Sequence, residues 1–145
     1  MATRPKALAS GAPVVLQFGP PGANAAFVDG YVFTALDGDY ELVATSEVHG
    51  TAGSDGSAVT ADVVRVASGG TIAAGTSLLS STFNLKSTVD TPVIKNVSNG
   101  GLPSAQSSRV IARGQSLAIN LGGTLTALAG MAISIVLQPI RRRTW

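Results

Sequence analysis

The chain of 145 residues contains no cysteine and a single histidine, His49. Without cysteine there are no disulfides and no thiolate metal sites. With one histidine, a zinc centre or a catalytic triad has too few members to draw on. Charge is scarce as well: Asp, Glu, Lys and Arg make up 12% of residues, against roughly 25% in an average soluble domain. Aromatic residues make up 5%. The net charge of +2 and the pI of about 9.4 reflect few charges rather than a strong field, so nucleic acid is not implied as a partner. No stretch carries the 3.6-residue apolar stripe of an amphipathic helix. The opening residues, MATRPKALASGAP, lack the apolar core of a secretory signal.

What the sequence does have is period two. Leu117, Ile119 and Leu121 stand at alternate positions, and so do Ile133, Ile135 and Leu137. Alternation of this kind marks a strand with one buried face. A short Gly-, Thr- and Ala-rich link joins the two runs, and together they read as an antiparallel hairpin. Upstream, similar runs cover residues 30–36, 40–49, 58–67, 82–86 and 92–97, with a run over 71–79 broken near Gly75. In residues 40–49, Tyr40, Leu42, Ala44 and Val48 are expected on one face and Glu41, Thr45 and Glu47 on the other. Short strands separated by Gly, Pro, Asn and Asp turns indicate an all-β fold: a jelly-roll-like antiparallel β-sandwich of about eight strands. The Gly19-Pro20-Pro21-Gly22 break suggests a division into an extended N-terminal arm (1–24), the sandwich (25–140) and a basic C-terminal tail (141–145).

A membrane helix is the rival reading of residues 116–137, which are uncharged and followed by Arg141, Arg142 and Arg143. Gly122 and Gly123 interrupt the span, Asn120, Thr124, Thr126, Ser134 and Gln138 dilute it, and the period is two. No membrane contact is therefore expected. A small domain with so little charge cannot clothe its whole exterior in solvated ions, which points to coverage by copies of itself or by a larger partner.

Three segments carry a family resemblance. EVHGTAGSDGSAVTADVVRV (47–66) resembles a hairpin of small tailed-phage virion proteins; GTSLLSSTFNLKST (75–88) and RGQSLAINLGGTLTALAGMAISIVLQPI (113–140) resemble further parts of the same proteins. Proteins of this type are capsid decoration, cement or head-fibre proteins. The resemblance implies a jelly-roll-like sandwich, usually trimeric, seated on the outer surface of an icosahedral head and bound to the major capsid protein. Independently of the resemblance, no constellation of nucleophile, base and orienter is visible, so neither an enzyme nor a cofactor is expected. The arm before Ala25 lies outside the resemblance.

Candidate functional residues are few. The arm, with Arg4, Pro5 and Lys6, and the tail, with Arg141, Arg142, Arg143 and Trp145, are the expected contacts to capsid or neighbouring subunits. A terminal Trp is a favoured interface anchor, and an extended arm can add a strand to a neighbour. His49 beside Glu47 reads as a polar strand-end residue; at a subunit contact its titration would make assembly pH-sensitive. Gly53-Ser54-Asp55-Gly56 lacks the lysine and helix of a phosphate loop and reads as a turn. Asp37, Asp39 and Glu41, spaced by two, read as a solvated strand face, with calcium as the alternative. A head-fibre or tail-adaptor module, or a carbohydrate-binding sandwich using Tyr31, Tyr40 or Trp145, are the alternative functions.

Overall fold

Strands of alternating polarity must pair through their backbones and bury one face each. The computed structural model, which describes residues 11–19 and 28–141, meets both demands with two antiparallel sheets. Its strands are β1 (Val14–Phe18), β2 (Gly30–Thr34), β3 (Asp39–Val48), β4 (Thr60–Val66), β5 (Thr76–Ser77), β6 (Phe83–Asn84), β7 (Val93–Asn96), β8 (Val110–Ile111), β9 (Ser116–Gly122) and β10 (Ala132–Ile140). Sheet A runs β1-β10-β3-β7, with β8 beside β7's lane on β3; sheet B runs β2-β9-β4-β5, with β6 sharing β5's lane on β4.

Counted as lanes, the first pairs with the last (β1–β10), the second with the seventh (β2–β9), the third with the sixth (β3–β7) and the fourth with the fifth (β4–β5). This is one long antiparallel ribbon rolled into two layers, the jelly-roll order. The sandwich expected from the sequence is therefore present.

Three local expectations are corrected. Residues 117–121 and 133–137 do not form a hairpin: β9 lies in sheet B and β10 in sheet A. Alternation gives each strand a buried face without saying whether two faces lie side by side or opposed across a core. The intervening link crosses between sheets and is stitched to Thr51 by backbone hydrogen bonds through Ala129. Gly123 makes the start of that crossing possible, with φ of 85° and space for no Cβ against the Ala58 carbonyl. Likewise β3 and β4, within the 47–66 segment, sit in different sheets. Finally, Val14–Phe18, expected within the arm as a strand or an extended segment, is an edge strand of sheet A, so the sheet begins ahead of the Gly-Pro-Pro-Gly break. The rest of the arm, residues 1–10 and 20–24, lies outside the described residues.

The core fills the space between the sheets. Leu117 and Ile119 of β9 face Ile133, Ile135 and Leu137 of β10, with Leu42, Ala61, Val63, Leu78, Phe83 and Ile111 around them, all essentially solvent-free. Each buried Leu or Ile contributes about 1.5–3 kcal/mol by leaving water. Sheet B also has a second, small apolar cluster on its outward face: Val64, Val66 and Ala118, covered by Ile72 of a 3-10 turn (Ile72–Ala74).

Candidate functional site

The inward face of β3 depends on a single bulge. Leu42 pairs with Leu137 and Ala44 pairs with Val136, so Val43 has no partner on β10. An extra residue in one strand shifts every later side chain to the opposite face. The sequence-based face assignment therefore holds up to Leu42 and inverts after it. Thr45, Glu47 and His49 point into the sandwich and are buried, while Ala44, Ser46 and Val48 point outward.

The buried polar side chains are joined by Lys95 of β7, directly opposite Thr45. Thr45 Oγ1 donates to the Ser134 carbonyl at 2.9 Å. Lys95 Nζ donates to Ser81 Oγ at 3.1 Å and lies 5.2 Å from the centre of the Phe83 ring, a cation–π arrangement. Burial pushes the Lys95 amine below the usual lysine range, with Asp62 pulling weakly the other way. A side chain on Gly101 would run into Lys95, with a Cβ only 2.6 Å from the lysine Cβ, so glycine is what lets the loop close over this cation.

His49 is held from both ring nitrogens. Nε2 lies 3.1 Å from the Ser87 carbonyl, which can only accept, so Nε2 carries a proton. Nδ1 lies 2.9 Å from Glu47 Oε1. That contact needs one proton, either as imidazolium with carboxylate or as neutral imidazole with carboxylic acid. Burial raises the Glu47 carboxyl above its ordinary range, and the His49 hydrogen bond only partly offsets this. Glu47 Oε2 and Ser87 Oγ are buried with no hydrogen-bond partner. His49 thus stands at the end of β3 beside a loop, as read from the sequence, with its side chain buried within the chain.

The outward face of sheet A follows from the same bulge. Its central residues are Val15 and Gln17 on β1, Ala132, Ser134 and Val136 on β10, Val43, Ala44, Ser46 and Val48 on β3, and Ile94 and Asn96 on β7. None is charged. Val15 is 68% exposed and Ile94 57%. The first charge along β3 is Glu41, held by Arg109 at 3.2 Å and by Gln106 at 3.1 Å. Sheet B covers its own outer apolar cluster with Ile72; among the described residues nothing covers the uncharged face of sheet A.

A crevice of about 160 Å³ opens at one end of the sandwich, lined by Asp37, Asp39, Tyr40, Pro139, Ile140, Gly11 and Arg141. Gln138 Nε2 donates to the Gly11 carbonyl, so the start of the described chain and its end meet here. Arg141 is exposed. Arg4, Pro5, Lys6, Arg142, Arg143 and Trp145 lie outside the described residues.

Asp37, Asp39 and Glu41 do not converge. Asp37 accepts from the Tyr40 hydroxyl at 2.6 Å, Asp39 from the Arg113 amide at 2.9 Å, and Glu41 from Arg109. Among the described residues no group of three acidic or His side chains could hold a metal ion. Asp55 accepts from the Ser57 and Thr124 amides, which lower its carboxyl, and works as a loop staple. Tyr40 is buried edge-on against Phe33 at 4.9 Å and is closed to a sugar; Tyr31 is 57% exposed. No helix among the described residues is long and apolar enough to cross a membrane. Comparison with protein-family models, with curated proteins and with solved structures returned no match.

Proposed function

We propose that the protein is a non-enzymatic structural component of a phage virion, which decorates or cements the outside of an icosahedral head. In this reading it binds the major capsid protein as a homo-oligomer, a trimer, and stabilises the shell by adding contact area. The reading rests on one observation, the uncharged outward face of sheet A. Its small and apolar residues present a surface that a second sheet could approach to the ordinary stacking distance of about 10 Å without stranding an ion. Interfaces are poor in charge at their centre, and a repeated copy of the same chain is the commonest partner of such a face. Jelly rolls also serve as capsid and lectin domains, but a shared fold does not assign a function. The meeting of Gly11 and Arg141 at one crevice adds that the basic arm and the basic tail leave from the same end, where they could grip one partner together.

The test is direct. Native mass measurement should give a trimer, and the protein added to undecorated heads should bind at saturable, symmetry-related copy numbers. Ser46→Glu, which places a charge at the centre of the face, should abolish both. A charged face that still assembles and still binds heads removes the proposal.

A further inference from the structure

Buried His49 joins its own strand to a turn at the surface. Its ring touches Glu47 on its own strand and the Ser87 carbonyl on the turn that follows β6. Its own carbonyl accepts from the Asp90 amide at 2.8 Å. Asp90 sits at φ 53°, the left-handed region, which a non-glycine residue holds only when its surroundings enforce it. Residues 87–90 are therefore fastened to the end of β3 through one imidazole and one carbonyl of the same residue.

We infer that the Glu47–His49 pair is a proton-operated latch, which holds residues 87–90 against the end of β3 while one proton is shared between Nδ1 and Oε1 and releases them when that proton is lost. In the one-proton state the 2.9 Å contact is a hydrogen bond whichever partner owns the proton. Without it, an imidazole lone pair faces a carboxylate at the same distance, and the ring that positions Nε2 toward Ser87 is pushed away.

Among the described residues no other ionised group is placed to take over. Opposite Glu47, β10 supplies Ile133 and β7 supplies Val93. The nearest cation on β7 is Lys95, opposite Thr45 and engaged with Ser81. On the turn itself, Lys86 Nζ donates to the Asp55 and Ser57 carbonyls, and the Asp90 carboxylate lies toward Gly50. The crossing link before β10 contains no charge between Gly123 and Met131. Glu47 Oε2, buried and without a partner, leaves the carboxylate nothing else to lean on. Its raised carboxyl gives the sign: the latch is tight on the acid side and loosens as pH climbs.

The test uses the full chain and reads the latch locally. Hydrogen-exchange protection of the Asp90 amide, corrected for intrinsic rate, should fall about tenfold for each unit by which the pair's proton affinity exceeds that in the unfolded chain, between pH 4 and pH 9. In Glu47→Gln the amide donates to Nδ1 in place of the shared proton, so protection should be flat with pH. Flat wild-type protection, or the same pH-dependent loss in Glu47→Gln, overturns the latch.

Discussion

Beneath β10 the inward residues are Ile133, Ile135 and Leu137; beneath β3, one strand over, their partners are Glu47, Thr45 and Leu42. Both sets are buried to the same degree. The first needs only to lie next to other carbon, because apolar burial is non-directional. The second needs a named partner for each polar atom, because an unpaired buried polar group costs about 1–3 kcal/mol and an unpaired charge more. One half of the sandwich is thus insensitive to pH and tolerant of shape-conserving change, while the other is set by geometry and by protons.

The most severe way to break this contrast is to insert one alanine between Ala44 and Thr45. The phase set by the bulge is lost: Thr45, Glu47 and His49 turn outward, and Ser46 and Val48 turn in. Circular dichroism and urea titration should show a chain that has lost its fold, a cost beyond about 5 kcal/mol. Next, Ile135→Ala in the apolar half should lower the unfolding free energy by about 2–5 kcal/mol, by the same amount at pH 5 and pH 8. The wild type itself should not be so indifferent. Burial raises the carboxyls of Glu47 and Asp62, so their contribution is complete below the ordinary carboxylate range and declines as pH rises through the raised values. Urea midpoints should therefore increase on acidification from neutral toward the ordinary carboxylate range and turn down below it, where the unfolded chain takes up the proton that the lowered Asp55 carboxyl resists in the fold. Glu47→Gln should make that slope shallower, leaving the part due to Asp62.

Smaller effects sharpen the same contrast. Lys95→Met keeps the stem, removes a buried cation that has one hydrogen bond, and should be neutral or stabilising by about 1 kcal/mol with an unchanged denaturant slope. Ser46→Glu on the outward face should shift the unfolding free energy by no more than about 0.5 kcal/mol; sedimentation should then report on association alone.

The sequence revealed the strands and hid their company. Leu117, Ile119, Ile133, Ile135 and Leu137 announce buried faces through period two, and the Asp37-Gly38 and Gly69-Gly70 breaks mark turns. Pairing was not legible, since alternation carries no label for the partner strand, and so the hairpin expected for β9 and β10 became two opposed layers. The bulge was hidden for a different reason. After Leu42 both faces of β3 mix small, apolar and polar residues, so neither phase wins on hydrophobicity; the adjacent pair Leu42-Val43 is the one local sign of a change of phase. The Glu47–His49 pair was visible only as two polar residues two apart. Its burial depends on the bulge at Val43 and its pairing on the Ser87 carbonyl, neither of which spacing can supply.

The rolled ribbon also has a consequence for time. Its outermost pair, β1 with β10, joins Val14 to Leu137, and every lane between them must be placed before that pair can close. Loop closure on this scale is slow, and chains dominated by distant contacts fold in milliseconds to seconds rather than microseconds. During synthesis, at about 5–20 residues per second, β1 waits on the order of ten seconds for its partner to be made. Through that interval its Val- and Leu-bearing edge is a sticky end on the ribosome, and a neighbouring nascent chain can supply the missing strand first.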